Sequence, residues 1–150
     1  MTSRDYLLRQ IEMLGQILVA IRKLILGGEA SDSEIQARLQ EVSGKAGMDL
    51  ELARAATPDT LRLLIAPSGE IEPGKCWLMA ESLLLDGIQS RHVGDEDRSQ
   101  DSLRKARMLF SLLAPMGAFL VGFPEGKERM QEIDEFLRET LRQSGKRDRE

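Results

Sequence analysis

The chain has 150 residues, 41% hydrophobic and 31% charged, with a formal charge of −4; at this length it can bury roughly 68–70% of its unfolded surface as one ordinary domain, so residues 1–150 need no division. Basic and acidic residues are interleaved, which leaves no electrostatic footprint for nucleic acid. The best apolar run, Ile17 to Ile21, stops at Arg22 and Lys23, far short of the ~20 residues of a membrane span.

Asp5 and Glu12, with no small-residue cleavage site after them, do not fit a secretion signal, and a single cysteine excludes an internal disulfide framework. A cytoplasmic protein is expected. Few prolines, few aromatics and abundant Leu, Arg, Glu and Gln predict an all-α fold, a helical bundle of five to seven helices.

A long N-terminal helix is predicted over 3–26. Leu7, Ile11, Leu14, Leu18, Ile21 and Ile25 recur at spacings of four and three and form a heptad seam. A second stripe of Tyr6, Met13, Ile17, Ala20 and Leu24 lies beside it, interrupted only by Gln10, which confines Asp5, Arg9, Glu12, Gln16 and Lys23 to a narrow polar side. Two arrangements fit this breadth: one stripe faces the fold and the other a second subunit, or one chain covers both. The Leu7 to Ile25 seam is the candidate self-association face, and a homodimer through this helix is expected.

Gly27 and Gly28 end that helix, and Ser31 to Glu34 is a capping box opening another with Ile35, Leu39 and Val42 inward, closed by Gly44 and Gly47. Asp49, and Thr57 followed by Pro58, start two short helices near 50–56 and 58–66. A loop framed by Ala66 to Gly69 and Glu72 to Gly74 precedes a helical hairpin over 75–114.

In the hairpin, Trp77, Ala80, Leu84, Gly87 and Ile88 share one face of the first helix, and Leu103, Ala106, Phe110 and Leu113 one face of the second. Arg91 and His92 suit a helix C-terminus, Gly94 a left-handed turn, and Asp95, Glu96 and Asp97 the next N-terminus. Pro115 and Gly117 then break the apolar run from Leu112 to Phe123, whose residues are expected in the core. Pro124 should start a last helix over 124–144 with Met130, Ile133, Phe136, Leu137 and Leu141 inward and an Asp134–Arg138 pair outside, leaving 146–150 as a solvated tail.

Across residues 80–113, with Gly87, Gly94-Asp95 and Lys105-Ala106 at the matching positions, the hairpin resembles a single tetratricopeptide repeat. Asp86, Ser99 and Leu103 depart from that pattern. No second copy is found at a period near 34 residues, so a repeat-type peptide groove is not expected. Over most of its length, through RDYLLRQIEMLGQIL, SGEIEPGKCWLMAESLLLDG and the later GD and KA pairs, the chain resembles a family of small bacterial helical proteins of unknown activity. That resemblance implies a helical fold and bacterial cytoplasm, and transfers no functional residue.

Chemistry-bearing residues are sparse. Cys76 and His92, the only thiol and imidazole, would stand about 24 Å apart at opposite ends of one helix, too far for a nucleophile and its base. Asp95 to Asp101 begins like a calcium loop, but Gln100 replaces the turn glycine and Ala106 the bidentate glutamate, so these acids are expected to complement a helix dipole. Glu70 and Glu72 read as turn residues. No catalytic residue, cofactor site or metal site is assigned, and no cofactor, nucleic acid or membrane partner is expected. The sequence points to a protein interaction or assembly module; the alternative is an enzyme or small-ligand binder whose pocket is built from residues distant in sequence.

Overall fold

The computed structural model describes residues 3–116 and 123–149. Among these residues there are seven α-helices, α1 Ser3–Gly27, α2 Asp32–Lys45, α3 Leu50–Ala55, α4 Pro58–Ile65, α5 Pro73–His92, α6 Glu96–Leu113 and α7 Gly126–Arg149, with a 3₁₀ turn at Ala114–Met116. The fold is all-α, and no strand occurs among the described residues.

Capping chemistry sets most of the boundaries. Ser31, Asp49, Thr57 and Asp95 accept hydrogen bonds from the first-turn amides of α2, α3, α4 and α6, satisfying donors that the helices cannot use internally. At α2 only half of the capping box forms. Glu34 donates its amide to Ser31 at 3.2 Å but turns its carboxylate to Arg38 at 3.1 Å. Gly28 and Gly94, at φ +70° and +84°, make the left-handed turns that end α1 and α5. Glu72 caps α5 through the amides of Gly74 and Lys75, so Pro73 and Gly74 belong to the first turn of this helix and not to the loop before it.

The centre of the molecule is α5, which is buried at Gly74 and continuously from Cys76 to Ser90. Contacts pairing Gly87 with Ser99, Asp86 with Ser102 and Cys76 with Leu109 run α6 antiparallel to it. On another side α1 runs the same way as α5, bringing Ile11 to Gly74, Gly15 to Trp77 and Arg22 to Glu81. α2 comes against α5 through Gln36 and Asp86, and α7 through Arg129 and Glu81. The hairpin face Trp77, Ala80, Leu84, Ile88, Leu103, Ala106 and Phe110 lies at 0–3% exposure within one apolar core, and Gly87 is buried among it.

Three expectations for the last third are corrected. α7 starts at Gly126 rather than at Pro124: its first hydrogen bond runs from the Arg129 amide to the Glu125 carbonyl at 3.2 Å, and Gly126 lies close against the end of α6, where a Cβ would stand 2.6 Å from the Phe110 carbonyl oxygen. Helix α7 continues through Gly145 to Arg149, since a glycine ends a helix only where it turns left-handed, and Gly145 has no positive φ. Leu141 is 71% exposed, whereas Thr140 is buried. Gly117 and the expected core residues of 117–122 lie outside the described residues.

Candidate functional site

Two carboxylates, Glu81 and Asp86, sit within the buried length of α5. Asp86 is fully enclosed; its Oδ1 accepts from Arg98 at 2.7 Å, Gln36 at 2.9 Å and Arg54 at 3.5 Å, and its Oδ2 from the Ser102 hydroxyl at 2.7 Å. Burial alone would raise its pKa, but the hydrogen bonds from Arg98, Ser102 and Gln36 and the Arg98 charge hold it below the ordinary 3.8. With donors from α2, α3 and α6 on one carboxylate, Asp86 clasps three helices to the fourth. A saturated, strongly ionised carboxylate is a poor general base.

Glu81, one and a half turns earlier, meets Arg129 at 2.8 Å and Arg22 at 3.6 Å, and both guanidiniums also reach Glu132. Burial pushes the Glu81 carboxyl up, against the pull of Arg129 and Arg22, whereas the same two arginines overcome the burial of Glu132 and bring it down. Among the described residues, Glu81 Oε2, Arg22 Nη2 and Arg129 Nε have no hydrogen-bond partner. The space beside them, bounded by Gly15, Leu18, Trp77 and Phe123, is about 50 Å³, room for a water or two. It is far below the roughly 300 Å³ at which pockets for organic ligands begin.

Cys76 and His92 fall near opposite ends of α5 and are not brought together. The Cys76 thiol is buried, donates to the Leu109 carbonyl at 3.6 Å, and is pushed up to about 12 by its burial and by Glu72. Such a thiol is inert. From Glu96 onward the acidic run is helical, with Asp95 capping the Arg98 amide. Asp134, expected to pair with Arg138, instead takes both oxygens to Arg107 of α6, at 2.7 and 3.2 Å, while Arg138 donates to the Asp134 carbonyl.

The seam expected to self-associate is largely covered by its own chain. Ile11, Leu14, Leu18, Ile21 and Ile25 are 8, 4, 2, 1 and 2% exposed and belong to the core of their own chain, and of that seam only Leu7, at 53%, reaches solvent. A two-fold contact through this stripe would require the fold to open. The second stripe is the uncovered one: Tyr6 at 64%, Met13 at 66%, Ile17 at 37% and Leu24 at 36%, with Ala20 exposed between them. Beside its N-terminal half lies a groove of about 370 Å³ formed by Leu7, Ile11, Leu14, Ala46 and Leu78, with Lys45, Lys75 and Glu72 at its polar edge. It is of a size to accept a partner's side chain, as is a second groove of about 330 Å³ between α3 and α4 lined by Met48, Leu52, Leu61 and Leu64.

Sequence reasoning missed the two clasps. Their only signal was a carboxylate at Glu81 and another at Asp86 within a run of apolar residues, and the arginines that answer them come from helices up to 59 residues away in sequence. Comparisons with protein-family models, with curated proteins and with solved structures return no match.

Proposed function

We propose that the chain is a cytoplasmic protein interaction or assembly module, without catalytic chemistry, that docks a partner helix along the outer stripe of α1. One observation carries the reading. A single helix presents two apolar stripes, of which the inner, from Ile11 to Ile25, is consumed by the core while Tyr6, Met13, Ile17 and Leu24 stay 36–66% exposed. Exposed apolar side chains are ordinary singly, whereas a contiguous strip beside a groove marks an interaction surface. The homodimer expectation transfers to this strip as one of two occupants, the other being a different protein.

A photo-crosslinking residue placed at Met13 should give covalent protein adducts in cells, and one placed at the exposed Glu128 of α7 should not. The adduct mass separates a second copy from another protein. Equal capture at the two positions overturns the reading.

A further inference from the structure

We propose that the helix received by α1 belongs to a second protein and carries acidic residues beside its apolar stripe; this rests on the reading of α1 as a docking surface. Tyr6, Gln10, Met13, Ile17, Ala20 and Leu24 recur at alternating spacings of four and three, which are the a and d positions of a coiled-coil seam. In such a seam the residues on either side choose the partner. The inner flank is Leu7, Leu14 and Ile21, two of them already in the core. The outer flank is Arg9, Gln16 and Lys23, all exposed, with Glu12 one strip farther round the helix.

The groove beyond the inner flank adds Lys75 and Lys45. Lys45 is already answered by Glu41 at 3.2 Å, whereas both Glu72 oxygens near Lys75 accept the first amides of α5. A helix lying on the seam therefore has Arg9 and Lys23 along one side and Lys75 along the other.

A second copy fits this surface poorly in either direction. Antiparallel pairing sets Arg9 of one copy opposite Lys23 of the other, twice in each dimer, and like charges at such flanks disfavour the pair. Parallel pairing stacks Gln10 on its own copy, yet Gln10 Nε2 is donated to the Lys45 carbonyl at 3.3 Å within the fold. A helix with Glu or Asp at its flanking positions meets neither obstacle and gains an ion pair at each end of the seam. One large apolar side chain from it would enter the groove between Leu7, Ile11 and Leu78, as an interface anchor does.

The test uses the full chain and two labelled synthetic helices of three heptads, identical at a and d and carrying either Glu or Lys at every flanking position, read by fluorescence anisotropy. The Glu peptide should bind about tenfold tighter or more at low salt, with the gap closing as salt screens the exposed charges. Arg9→Glu with Lys23→Glu should reverse the preference while leaving the thermal midpoint in place, and Ile17→Glu should weaken both peptides. Binding of both with no flank preference overturns the acidic partner and keeps the seam. Wild-type chain sedimenting at micromolar concentration as a particle of two chains, reduced to one by Ile17→Glu, overturns it in favour of a second copy. A monomeric chain that binds neither peptide overturns both the partner and the docking surface.

Discussion

Gly87 and Leu103 touch where the two helices of the hairpin cross: a Cβ built on Gly87 would stand 2.7 Å from Leu103 Cγ and Cδ2, and 3.3 Å from the Ser99 carbonyl oxygen. The Ser99 hydroxyl closes the same contact by donating to the Gly87 carbonyl at 2.8 Å. Glycine here is a packing requirement.

Two effects of Gly87→Ala oppose each other. Alanine gains about 1 kcal/mol of helix propensity, and overpacking a filled core costs about 1–3 kcal/mol. Since the obstructing atoms are the branch of a buried leucine and a backbone oxygen, overpacking wins. Gly87→Ala should melt lower than wild type and Gly87→Leu lower still; an alanine variant that melts higher would place the hairpin helices farther apart than described.

The two stripes of α1 should separate cleanly under mutation. Leu14→Glu and Leu18→Glu bury a carboxylate at positions 4% and 2% exposed, which should abolish cooperative unfolding or cost several kcal/mol, of the order of the 3–5 kcal/mol for an uncompensated buried charge. Met13→Glu, on the same helix but 66% exposed, should change stability by no more than about 0.5 kcal/mol. Circular-dichroism melts of the three variants decide this, and equal loss at Met13 and Leu14 would contradict the assignment of inner and outer faces.

Asp86 should give the protein an acid-sensitive stability. Its folded pKa lies below the ordinary 3.8, so the stabilisation is fully present above about pH 4 and is lost as pH falls through the folded value. Asp86→Asn removes the charge that Arg98 and Arg54 face. The cost should be about 3 kcal/mol at neutral pH, the low end for a broken buried pair, because Arg98 keeps 26% of its side chain in water. As pH falls below about 4, the wild-type melting temperature should drop more steeply than that of the asparagine variant. Parallel curves would remove Asp86 as the source.

Cys76 should resist labelling until the fold opens. A thiol at 0% exposure and raised to about 12 offers little thiolate to an aromatic disulfide reagent. Reaction should be slow in buffer and fast in denaturant, with a midpoint matching loss of helical signal. Rapid stoichiometric labelling of native protein would place the thiol at the surface.

The readable parts of the sequence were those written locally. Ser31, Asp49, Thr57 and Asp95 announce helix starts because a cap acts within three residues of itself, and Gly28 and Gly94 announce ends because few other residues accept a positive φ. Apolar spacing also identified both stripes of α1. It could not say which stripe the chain would cover, since that depends on where α5 lies, some 60 residues onward. For the same reason the apolar run around Glu81 and Asp86 could not identify their partners: the arginines that face them stand on other helices. Leu141 shows the converse: eight residues after Ile133 it has rotated about 80° off the buried stripe, and Thr140 takes the inward position instead.

Trp77 is the chain's single tryptophan. It is 2% exposed, donates its indole N–H to the Pro124 carbonyl at 3.3 Å and meets the Phe123 ring edge-on with centroids 5.0 Å apart. The molecule thus carries one intrinsic fluorophore, fixed between the start of α5 and the entry to α7, and its emission reports whether that entry is seated. Across α1 from the outer stripe, the indole packs toward Gly15, so a helix docking on Met13 and Ile17 should leave the tryptophan spectrum unchanged. Release of α7 alone should shift it to the red.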